Sequence, residues 1–145
     1  MTSAPVRDPL ADHFITPENA AFLFIDYQPS QLATTVNSWE DIEFVQAVHA
    51  TGRRKLIICA LWTEVCMAFT ALDALREGYE VYPVVDAIAG TSPEAHRAGL
   101  DRVTQAGGQP ISWVSLACEL QRDWARQETV QAIVEIVLTD RLTKE

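Results

Sequence analysis

The chain has 145 residues, enough for one domain built around one core. Hydrophobic residues make up 48% of it, which excludes a disordered chain, and no apolar run approaches the roughly 18 residues that a membrane span requires. A net charge of −9 argues against non-specific binding to nucleic acid or to anionic membranes. The opening stretch MTSAPVRDPLADHF lacks the apolar centre of a signal peptide, so a cytoplasmic protein is expected. The three cysteines, Cys59, Cys66 and Cys118, form no C-x-x-C pair, and His13, His49 and His96 are scattered. Neither a disulfide framework nor a local metal site is expected from such spacings.

Residues 1–19 read as an irregular arm that ends in the turn signal TPEN, and residues 20–145 as the domain proper. AAFLFID (20–26) is an apolar run closed by an aspartate, the pattern of a buried parallel strand. Residues 27–38 are polar, contain Pro29 and read as a loop. Ser38 and Asp41 have the form of a capping box, and Ile42, Val45 and Val48 predict a helix over about 39–51 that Gly52 ends. KLIICAL (55–61) is a second buried strand. A helix over about 65–77 follows, with Met67, Ala71, Leu72 and Leu75 on its inner face and Gly78 as its stop. YEVYPVVDA (79–87) reads as a third strand despite Pro83. SPEAHRAGLDRVTQAGG (92–108) opens with Ser-Pro and closes on glycines, a helix with both ends marked. PISWVSL (110–116) reads as a fourth strand, and residues 118–142 as one or two terminal helices.

Alternating strands and helices predict an α/β fold: a three-layer α/β/α sandwich on a mostly parallel sheet of about four strands. Ligands collect at the carboxyl ends of such strands. Asp26, Cys66 and Asp86 are predicted to share that edge. A cysteine in the first turn of a helix meets unpaired N–H groups and the positive end of the helix dipole, which favour a thiolate. The same groups could hold an oxyanion, and Asp26 could move the proton. The plain alternative is that Cys66 is a small buried hydrophobe. Cys59 reads as core, and so does Cys118, unless it starts a helix. Asp86 could simply brace a loop. Trp62 either walls a pocket or packs, and Tyr27 and Gln28 could line the same cleft. Trp39, Trp113 and Trp124 read as structural or as subunit contacts, and His96 as solvated.

Three segments, FLFIDYQPSQL, LWTEVCMAFTALDALREGYEVYPVVDA and HRAGLDRVTQAGGQPISWVSLACELQRDW, together resemble the isochorismatase-like cysteine hydrolases, and within them the YcaC-type subgroup. The resemblance implies a Cys66 nucleophile, Asp26 as general acid/base, and a thioester formed on a small amide-like or related carbonyl substrate. It implies an oxyanion hole near Trp62, Thr63 and Val65, with a cis peptide around Trp62–Thr63 and Trp62 in place of the usual aliphatic residue before it. It requires no cofactor or metal, and it implies a homo-oligomer. It also exposes a gap. The family order is 3-2-1-4-5-6, and the segment holding strands 2 and 3 and the catalytic lysine is missing between the first strand and the Trp39 helix. No Lys or Arg lies between Arg7 and Arg53. Arg53, Arg54 and Lys55 start the second strand, roughly 20 Å from its far end at about 3.3 Å per residue. The gap leaves the first strand at a sheet edge, where apolar sequence invites pairing. The rival expectation is therefore an impaired scaffold that acts through oligomer or partner contacts. A generic ligand-binding α/β domain lacks support, since neither G-x-G-x-x-G nor a P-loop occurs.

Overall fold

The computed structural model describes residues 8–26 and 35–142. Three parallel strands, β1 (Ala20–Ile25), β2 (Lys55–Ala60) and β3 (Glu80–Pro83), pair in the order β1-β2-β3. Every residue of β2 is buried. Its alternation divides the interior in two. Leu56, Ile58 and Ala60 join Leu23 and Ile25 of β1 in a core covered by α1 (Ile42–Ala50), α2 (Ala68–Arg76) and α3 (Pro93–Gln105). Ile57 and Cys59 face the other way, against Ile15, Tyr82, Val84, Ile111 and Leu116, the last from α4 (Trp113–Gln121). Helices thus cover both faces of a parallel sheet, the expected α/β/α layering, and α5 (Val130–Leu142) contacts α4. Among the described residues no helix is long and apolar enough to cross a membrane.

The predicted fourth strand is corrected. Only Ile111 survives as a bridge to Val84. Ser112 then caps α4 by accepting the Ser115 N–H, and Asp86 accepts the Trp113 N–H at 2.8 Å. Trp113, Leu116 and Leu120 lie on the inner side of that helix at spacings of three and four, which a short alternating run also satisfies. Cys118, read as core, is consequently exposed. The third strand is also shorter than predicted. Pro83 is tolerated because its nitrogen faces away from β2. The Pro83 carbonyl, on that same outer side, accepts the Ile111 N–H at 2.9 Å, and Val81 O accepts from Gln109.

The predicted capping box at Ser38 is corrected too. Asn37 accepts the Trp39 N–H and starts a separate 3-10 turn, Ser38–Glu40. Asp41 has extended backbone angles and itself caps α1, accepting from Glu43 and Phe44 N–H. Gly52 (φ +63°) ends that helix in the left-handed conformation, as predicted. The inner stripe of α2 runs through Met67, Ala71 and Ala74, while Leu72 and Leu75 are half-buried. Trp39 is structural: its Nε1–H donates to Glu77 and its ring meets Phe44 and Tyr79 edge-on.

Among the described residues β1 is an edge strand, and Phe22 (45% exposed) and Phe24 (69%) stack on one of its faces. At the start of β2, Lys55 is 3% exposed. Its Nζ donates to the carbonyls of Asp12 and His13 and lies 3.2 Å from Glu80, tying residues 12–13 to the sheet. Lys55→Met should cost about 2–3 kcal/mol, since hydrogen bonds from a charged donor are lost and two carbonyls are stranded. Urea unfolding measures this, and a cost below about 0.5 kcal/mol would show that the tie is not used.

Candidate active site

Parallel pairing of β1 with β2 sets Ile25 opposite Ala60, so both strands end side by side. Leu61 N–H extends the ladder by donating to Ile25 O. Asp26, the next residue of β1, has φ +61° and turns off the strand there. Beyond Leu61 the chain enters a π-helical turn, Thr63–Met67, that leads directly into α2. Cys66 lies in this turn, half-buried.

The cis peptide is at Leu61–Trp62, one bond earlier than predicted. The ladder continues through Leu61, and Thr63 N–H is already engaged with Ala89 O at 2.9 Å. The residue before the bond is therefore Leu61, an aliphatic, and the departure expected at Trp62 does not arise. The Trp62 ring is 43% exposed rather than packed.

Asp26 and Cys66 meet. Burial, followed by the hydrogen bond and the negative charge of Asp26, pushes the Cys66 thiol up to about 11. The backbone N–H groups of Trp62 and Cys66 reach the sulfur and pull the other way, without prevailing. The balance at the sulfur runs against the predicted resting thiolate and favours the protonated thiol. The resting pair is a thiol donating to a carboxylate. The expected oxyanion donors also change. Thr63 N–H is engaged with Ala89 O and Val65 N–H with Trp62 O, so the amides converging on sulfur are those of Trp62 and Cys66.

Asp86 does not join this pair. It is exposed, braces α4, and adds its charge to the burial that raises the Cys59 thiol on the opposite face of the sheet. Tyr27 and Gln28 lie outside the described residues. Lys55 is held at the opposite end of β2 from Cys66, as the length of the strand implies. Among the described residues no three His, Cys, Asp or Glu side chains gather as a metal set.

Two residues not singled out for the site shape the Cys66 turn. His96, read as solvated, places Nδ1 2.8 Å from the hydroxyl of Thr63, which is fully buried. Glu64 accepts from both the amide and the hydroxyl of Thr91. Burial raises the Glu64 carboxyl, but these bonds and nearby His96 outweigh it and hold the group below its ordinary value. Neither residue carries a local motif, because their partners lie 27 and 33 residues away.

Residues 27–115 match the Isochorismatase domain model. The chain is 50% identical over 90 residues to "Probable hydrolase YcaC" of Escherichia coli strain K12, covering 61% of this chain and 43% of that protein. It spans less than half the length of the curated relatives it matches. Among solved structures it superposes on E. coli YcaC, described as an octameric hydrolase of unknown specificity, with a TM-score of 0.77 at 25% identity, over 92% of this chain and 98% of that one. It is similarly close to YcaC from Pseudomonas aeruginosa with hexane-2,5-diol and covalent acrylamide, with a TM-score of 0.74 at 25% identity, over 88% and 96%.

Gly99 of α3 sits directly on the Cys66 turn. A Cβ there would lie 2.8 Å from Glu64 Cα, 2.9 Å from Glu64 N and 3.0 Å from Thr63 O, all backbone atoms that cannot rotate away. Helix propensity favours Gly99→Ala by up to about 1 kcal/mol, but overpacking against backbone costs about 1–3 kcal/mol. The variant should therefore unfold at lower urea than the native protein, and equal or higher stability would show that α3 can lift without cost.

Proposed function

Because this chain belongs to the isochorismatase family, we propose that it is a cysteine hydrolase of small amide-like or related carbonyl compounds, acting through a Cys66 thioester. The observation that carries this reading is the Asp26 carboxylate hydrogen-bonded to a half-buried Cys66 sulfur that two backbone N–H groups also reach. With so little thiolate at rest, the proton must leave as the sulfur attacks. Asp26 takes it while the C–S bond forms and the carbonyl π bond opens. The N–H groups of Trp62 and Cys66 face the developing oxyanion. Asp26 then protonates the leaving amine, the C–N bond breaks, and the acyl group stays on sulfur. Water attacks the thioester, Asp26 accepts its proton, and the acid is released as the proton returns to sulfur. A similar protein is described with covalent acrylamide, a small amide-bearing electrophile. No cofactor takes part in these steps.

The protein is further read as a homo-oligomer. The exposed Phe22 and Phe24 on an edge strand supply an apolar surface, and a similar protein is octameric.

A second reading, an impaired scaffold, is favoured by the high thiol value and by the absence of Lys and Arg between Arg7 and Arg53. Asp26→Asn separates the two. Removing the charge makes the thiol more acidic, so alkylation of Cys66 at pH 8 should rise about tenfold. Turnover of a small-amide panel should instead fall about 100-fold, because the proton acceptor is lost. Cys66→Ala should abolish turnover. Activity surviving Cys66→Ala, or no turnover in the native protein, would sink the hydrolase reading.

A further inference from the structure

Ser92 caps α3 by accepting the Ala95 N–H at 3.1 Å, and His96 N–H bonds to Ser92 O at 2.9 Å, which places His96 in the first turn of the helix. Gly90 lets the preceding segment pass close by, since a Cβ there would lie 2.7 Å from His96 N. His96 and Gly99 are three residues apart and share one face of α3, so both address the same target. Gly99 meets the backbone of Thr63 and Glu64, and His96 Nδ1 meets the Thr63 hydroxyl at 2.8 Å. Thr63 is fully buried, so losing that bond would cost its hydroxyl a partner. Its N–H is fixed to Ala89 O, and its neighbour Glu64 is fixed to Thr91. Thr63 directly follows Trp62, whose N–H reaches the Cys66 sulfur.

We infer that His96 is a positioning residue for Cys66: by fixing the Thr63 hydroxyl it sets the turn that aims the Trp62 and Cys66 N–H groups at the sulfur. The bond does not depend on charge. Nδ1 accepts from the hydroxyl in one tautomer and donates to it in the other, or when the ring is protonated. This role rests on the hydrolase reading for its catalytic consequence but not for its geometry.

The test compares His96→Leu, which fills the space without the bond, Thr63→Val, which removes only the hydroxyl, and His96→Asn, whose amide restores a partner near Nδ1. Two readouts are taken on variants shown to be folded by thermal melting: kcat and KM on an amide turned over by the native protein, and the rate of Cys66 alkylation by iodoacetamide at pH 9, followed at that peptide by mass spectrometry. His96→Leu and Thr63→Val should each lower kcat about fivefold or more with KM within about twofold, the loss of one net hydrogen bond at the transition state. Alkylation should slow about fivefold, because misaimed N–H groups no longer favour the thiolate. His96→Asn should recover both to within about twofold, and the double variant His96→Leu/Thr63→Val should be no worse than either single one. Alkylation and kcat unchanged in both single variants, or no recovery in His96→Asn, overturns the inference. If the native protein turns over no amide, the alkylation series alone decides it: slowing with Asn rescue sustains the positioning role while the hydrolase reading falls.

Discussion

A strand buried on both faces and paired on both edges fixes everything around it, and β2 is that strand. With no side chain facing water, its residues must alternate between two cores. A one-residue slip would exchange Leu56, Ile58 and Ala60 for Ile57 and Cys59 and leave both cores misfilled. Register with β1 follows, and register delivers Asp26 beside the start of the Cys66 turn. The candidate site is thus a consequence of core packing: two parallel neighbours end together, and the chain just beyond them supplies a carboxylate and a thiol.

The chemistry then depends on which influence wins at the sulfur. Two N–H groups favour the anion, but partial burial and an adjacent carboxylate oppose it, and the carboxylate acts twice, through its hydrogen bond and through its charge. A helix start alone would have suggested the opposite outcome. The balance leaves the proton on the sulfur, within a hydrogen bond of the Asp26 carboxylate. The brace from α3 gains importance for the same reason: the weaker the net pull toward the anion, the more the placement of each N–H matters.

The strands β1 and β2, the α3 capping and the Asp26–Cys66 meeting are legible in the sequence because each rests on short-range signals: an apolar run, a Ser-Pro start, a polar residue at a strand end. The misread elements are those where two periods fit the same residues. ISWVSL alternates like a strand, yet Trp113, Leu116 and Leu120 also lie on one side of a helix, and Ser112 with Asp86 decides for the helix. Ser38 and Asp41 fit a capping box, but Asn37 and Asp41 each take the N–H groups first. The roles of His96, Glu64 and Lys55 depend on partners distant in the chain, and no local pattern encodes them.

The strand order β1-β2-β3 bears on the sheet and the site differently. At the sheet it places β1 at the edge among the described residues, with Phe22 and Phe24 exposed on it. At the site, the Asp26–Cys66 pair forms because β1 and β2 are direct neighbours. The charge acting on Cys66 is that of Asp26, and among the described residues no cation enters the balance at the sulfur. An anionic substrate would add a second like charge within a few ångströms of a carboxylate, in a half-buried turn where water screens poorly. A neutral carbonyl compound meets no such penalty. If Cys66 acts as proposed, the carboxylate that opposes the thiolate would equally oppose an anionic ligand beside it.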